Sequence, residues 1–216
     1  MQYAQNQTRV FTSAMNKVLV NTYQLLSATL IFSGVMAFVS MSIGFPHLGL
    51  FTLVGYFGLL FAVHKLQNSS YGILAVFALT GFMGLTLGPI LNFYLSSNPA
   101  VVVQSLAGTG IIFLALSAYA IISKKDFSFM GGMLMVGIIV AFVAMIANIF
   151  LEIPALSLAI SAVFILLMSG VILYQTSEII HGGETNYIMA TVSLFVAIYN
   201  IFLSLLHILG FMNGDD

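Results

Sequence analysis

The chain has 216 residues, of which 61% are hydrophobic and only 5% charged, with a mean hydropathy of +1.12. Soluble domains typically carry about 25% charged residues, so this chain cannot cover a water-facing surface, and its solvent must be lipid. A formal net charge of −1 offers no surface for nucleic acid, and the lack of cysteine removes disulfides, thiolate catalysis and cysteine metal sites.

Residues 1–17 (MQYAQNQTRVFTSAMNK) are polar, contain no acidic residue and run into an apolar stretch long enough to span a membrane. No short apolar core with a small-residue cleavage site appears, so the first helix is expected to be retained. The composition predicts an unfolded tail over 1–17 and a membrane domain over 18–216. A spanning helix needs about 20 mostly apolar residues. Polar, Gly and Pro clusters then divide the chain into seven spans, at 19–42, 48–64, 71–95, 101–123, 128–150, 155–180 and 187–211. The runs lack the alternation of an outer-membrane barrel, so the fold class is an all-α bundle of seven transmembrane helices.

The third span contains "GFMGLTLGPILN" and the fifth begins "MGGMLMVG", both read as close-packing faces. Pro89 should kink the third span, and carbonyls freed in this way are often satisfied again locally. A short sequence recurs as "ILNFYL", "IANIFL" and "IYNIFL", placing Asn92, Asn148 and Asn200 inside or near the ends of spans. An Asn in hydrocarbon needs a partner, so these side chains are expected to point inward, as interhelical contacts or as part of a polar pathway.

The sixth span ends in "YQTSEIIHGGETNY". Glu178 and His181 share a face, His181 suits a last helical turn, and Gly182–Gly183 can supply a left-handed cap. Gln175 lies deeper on the face of Glu178. A Glu-x-x-His pair holds metal in bundles when other helices bring matching carboxylates, and no second copy is present, so neither metal nor cofactor is expected. No nucleophile elbow, zinc-protease motif or phosphate-cradling loop occurs, which argues against an enzyme. In the seventh span Ser193, Ala197, Asn200, Ser204 and His207 form one continuous helical stripe. That small, polar face belongs in the interior, which makes the last helix central.

The loops sort by charge. Arg9, Lys17, Lys65, Lys124 and Lys125 fall on one side of the seven-span layout, whereas Glu152, Asp215 and Asp216 fall on the other. The positive-inside rule then puts the N-terminus in the cytoplasm and the C-terminus outside.

Several stretches, "KVLVNTYQLLSATL" (17–30), "GPILNFYL" (88–95) and the run from Phe127 to Gly210 that includes "MGGMLM" and "IIHGGETNYI", resemble bacterial members of the Bax inhibitor-1 family. The resemblance covers nearly the whole chain and implies a seven-helix bundle with a central last helix. It also implies two activities in the bacterial inner membrane. One is binding and inhibition of an ATP-dependent membrane protease of the FtsH type, with the N-terminal tail as the handle that the protease grips. The other is a pH-sensitive calcium or cation leak, gated by two aspartates, one on the sixth helix and one on the seventh, or a proton-linked transporter on the same fold. The matching positions here are Gln175 and Ala197, so both titratable carboxylates are missing, and Glu178 stands one turn beyond the first.

Overall fold

The computed structural model describes residues 2–214, and their side chains from residue 15 onward. Among the described residues all regular structure is helical: α1 (Gln2–Ile43), α2 (Phe51–Leu66), α3 (Gly72–Ser97), α4 (Pro99–Ser123), α5 (Gly131–Leu151), α6 (Pro154–His181) and α7 (Tyr187–Met212). A single 3-10 turn at Ser128–Met130 precedes α5. All seven expected helices are present, with most ends within two or three residues of the expected ones. Two differences stand out. The backbone of α1 is already helical from Gln2, where an unfolded tail was expected, and its apolar stretch runs over Met15–Ile43. Six helices are long and apolar enough to cross a membrane, and α2, at 16 residues, is shorter. At about 1.5 Å per residue it spans less than a hydrocarbon core of about 30 Å.

The helix ends follow local chemistry. Asn98 caps α4 by accepting from the Ala100 N–H, with Pro99 in the first helical position. Gly44 and Gly49 take positive φ in the turn before α2, and Gly182 does so after α6, where the sequence pointed to such a cap. Lys124 and Glu152 close α4 and α5 in the same left-handed conformation, each N–H bonding the carbonyl four residues back.

The chain groups into two units, Met1–Phe93 with Ile179–Phe195 and Tyr94–Glu178 with Val196–Asp216. In the first unit, α1 and α3 meet along a glycine seam. A Cβ on Gly81 would come within 2.7 Å of the Phe32 ring, and one on Gly84 would strike the Ser33 carbonyl. One on Gly88 would strike the Ser40 hydroxyl. The Phe32 and Phe77 rings meet edge to face beside this seam, with centroids 5.3 Å apart.

Pro89 explains why Ser40 sits there. Proline has no N–H, so it leaves the carbonyl of Leu85, four residues earlier, without its helical donor. The Ser40 hydroxyl donates to that carbonyl at 2.6 Å. The freed group is thus satisfied from the neighbouring helix rather than locally, and α3 continues through Pro89 to Ser97.

Burial confirms the enclosed last helix. Of the apolar stretch of α7, 50% is buried, against 11% for α5. The α3 window is equally enclosed, at 56%; its glycines are visible in the sequence, but small residues alone do not say how many helices surround them.

Ser40→Ala should leave the Leu85 carbonyl unsatisfied and lower stability by about 1–3 kcal/mol, read as earlier unfolding in detergent. Adding Pro89→Ala to that variant restores a backbone N–H and should recover part of the loss, whereas Gly34→Ala, with open space around its Cβ, should change little.

Candidate functional site

Within the second unit α5 and α6 pack antiparallel. A Cβ on Gly131 would lie 3.0 Å from the Tyr174 ring, while Gly170 faces Leu134 and Gly137 faces Leu167, each at 2.6 Å. As the register rises along α5 it falls along α6, the order of an antiparallel pair. Of the "MGGMLMVG" glycines, Gly131 and Gly137 make this contact; Gly132 faces open space.

The same register ends at a polar knot. Asn148, near the end of α5, donates from Nδ2 to the Ser157 hydroxyl at 2.7 Å, and its Oδ1 accepts from the Ile153 N–H at 3.2 Å. Asn148 therefore fixes the α5–α6 turn, which supports the reading of an interhelical contact. One turn along α6, the Ser161 hydroxyl lies 2.8 Å from His207 Nδ1 and 3.0 Å from the Ser157 carbonyl. A hydroxyl has one proton. If Ser161 gives it to the carbonyl, His207 must carry its own proton on Nδ1.

These groups line a cavity of about 330 Å³ formed by α5, α6 and the second half of α7. Its polar lining includes Asn148, Ser157, Ser161, Asn200, Ser204 and His207. Asn200 donates from Nδ2 to the Val196 carbonyl at 2.8 Å. The cavity thus collects the lower part of the polar stripe on α7 (Asn200, Ser204 and His207) together with Asn148. Ser193 does not line it and is half-buried in the first unit, and Asn92 is exposed. The expectation that Asn92 points inward is corrected: it lies five residues from the end of α3, where about 8 Å of helix brings an amide close to the polar surface. The bond from Ser161 to His207 was not visible in sequence, because residues 46 apart share no local pattern.

The gate positions lie outside this cavity. Gln175 is 6% exposed, and its Nε2 has no hydrogen-bond partner; Ala197 is 0% exposed, and Glu178 is half-buried. Among the described residues no group of three His, Cys, Asp or Glu side chains could hold a metal. Next to Gln175, Ser177 has a plain structural task. Its hydroxyl accepts from the Phe127 N–H at 2.9 Å and lies 3.3 Å from the Lys125 carbonyl, pinning the α4–α5 loop to α6.

Past the α6 cap, Asn186 directly precedes α7. Its Oδ1 accepts from the N–H groups of Ile188 and Met189, capping α7. Its Nδ2 reaches the Gln67 carbonyl at 3.3 Å and Asn68 Oδ1 at 3.0 Å, in the α2–α3 loop. The Glu184 carboxylate accepts from the Asn186 N–H at 2.7 Å. The cap was legible as an Asn directly before a periodic apolar run, but its partners 118 and 119 residues away were not.

The family model described as inhibitor of apoptosis-promoting Bax1 matches residues 15–214. The chain belongs to the Bax inhibitor-1 family. It is 57% identical over 202 residues to a protein of Escherichia coli strain K12 named Modulator of FtsH protease YccA, covering 93% of this chain and 92% of that one. The same identity and coverage relate it to a protein of another E. coli strain named Inner membrane protein YccA. It is also 50% identical over 209 residues to a membrane protein of Vibrio cholerae, covering 95% and 94% of the two chains. With its apolar helices, this membership makes the chain a multi-pass membrane protein.

Asn186→Ala should cost about 1–2 kcal/mol, the scale of a lost N-cap. Hydrogen exchange of the Ile188 and Met189 amides should accelerate while the middle of α7 stays protected.

Proposed function

We propose that this protein is a regulator in the bacterial inner membrane that binds and restrains an ATP-dependent protease of the FtsH type, with no catalysis of its own. The observation that carries this reading is the 57% identity, over nearly the full length of both chains, to the protein named Modulator of FtsH protease YccA. Residues 1–17 form the cytoplasmic handle and residues 18–216 the membrane domain. The helical start of α1 refines the handle without removing it. A short polar helix in water is marginally stable by itself, so a pulling enzyme draws it out easily. The glycine seams and cross-helix hydrogen bonds of the membrane domain then resist extraction, because pulling any helix free leaves polar groups unpaired in hydrocarbon. A substrate that engages quickly and yields slowly occupies the protease.

Calcium is not part of this reading. A pair of close carboxylates responds to pH because mutual repulsion raises one pKa; neither Gln175 nor Ala197 can change charge.

Copurification with the protease, and slowed turnover of its other membrane substrates, are both expected to disappear when residues 2–14 are deleted. If both survive the deletion, the handle mechanism fails.

For orientation we propose a cytoplasmic N-terminus and an external C-terminus. The absence of native cysteine makes single-cysteine labelling clean. In intact cells a membrane-impermeant maleimide should label Asn213→Cys, and should label Glu184→Cys only after the membrane is opened; the reverse pattern inverts the topology.

A further inference from the structure

The cavity in the second unit has chemistry that protease regulation does not use. Its lining contains no Asp, Glu, Lys or Arg. A fully charged ligand would therefore enter a low-dielectric site without a counter-charge, at a prohibitive desolvation cost. Yet hydrogen-bonding capacity remains. Asn200 uses one amide N–H on Val196, which leaves its carbonyl and a second N–H, and His207 bonds Ser161 through Nδ1, which leaves Nε2. Ser204 adds a hydroxyl to the lining.

The cavity is also elongated and amphipathic. His207 and Asn200 lie five and twelve residues before the end of α7 at Met212, so the polar wall runs from about 8 to about 18 Å inside that end. Met145, Ile149, Ile160, Phe164 and Leu203 supply the apolar lining. Ile149, on the α5 side, is 47% exposed, so this wall reaches the lipid-facing surface. A volume of about 330 Å³ falls in the range of small-molecule sites, about 300–1,000 Å³.

We propose that this cavity binds the uncharged, carbonyl-bearing part of a membrane amphiphile, entering sideways from the lipid between α5 and α7. Its carbonyl oxygens accept from the free Asn200 N–H and from the Ser204 hydroxyl, while its chain lies along Ile149 and Met145. Both a glyceride ester and an isoprenoid quinone ring present this chemistry, and the test separates them.

The full-length protein in mild detergent is titrated with dioleoylglycerol, decylubiquinone or anionic dioleoylphosphatidate, and adducts are counted by native mass spectrometry. A saturable one-to-one adduct is expected with a neutral probe, and the probe that forms it assigns the source. Asn200→Leu, which removes hydrogen bonds, and Leu203→Trp, which fills the space, should each weaken the adduct about tenfold. Val136→Phe, on an exposed face of α5 outside the cavity, should not. Ser204→Ala, which removes one oxygen, should give a smaller loss and serves if either larger change prevents folding. The proposal is overturned if neither neutral probe forms such an adduct, if the cavity variants bind as the parent does, or if phosphatidate binds as tightly as the neutral probe.

Discussion

The hydrogen bond from Ser40 to the Leu85 carbonyl stands for the constraint that shapes this molecule. In hydrocarbon no water satisfies a stray backbone group, so Pro89 in α3 demands a donor from elsewhere. That donor sits on α1 and reaches α3 only because position 88 has no side chain. Gly84, one turn earlier, lets the Ser33 backbone approach in the same way. Proline, serine and glycines thus act as one unit: the first creates a need, the second meets it, and the others make room.

The same constraint governs the helix ends. Asn98, Asn148 and Asn186 each bond backbone N–H groups at a turn, and two of them also join separate helices or loops. Ser177 holds the α4–α5 loop against α6 with its single hydroxyl. Membrane helices gain nothing from burying apolar faces against each other, since lipid is equally apolar. Specific polar ties and close backbone approach do that work instead.

Function follows from where polarity is retained and where it has been removed. The positions at which the family likeness implies a carboxylate pair hold an amide and a methyl group, both buried. Polarity persists instead along the second half of α7, where Asn200, Ser204 and His207 line a cavity together with Ser157 and Ser161. A site built of amides, hydroxyls and an imidazole suits neutral hydrogen-bonding partners better than ions.

Lipid as solvent, seven helices, their approximate ends and the left-handed cap at Gly182 were legible in the sequence, because hydropathy and local backbone preference act over a few residues. The polar stripe on α7 was legible for the same reason, being a helical period. The sequence also placed Asn148 correctly inside, yet gave the same role to Asn92, which is exposed; the repeated hexapeptide looks alike in both helices and says nothing about what packs beside each. Only the tertiary structure decided that Ser40 serves Pro89, that Asn186 ties α7 to the loop before α3, and that Ser161 meets His207. Each of these joins residues at least 46 apart in the chain or separated by whole helices. Such partners are chosen by the register of packed helices, which depends on every side chain in the seam rather than on any short stretch of sequence.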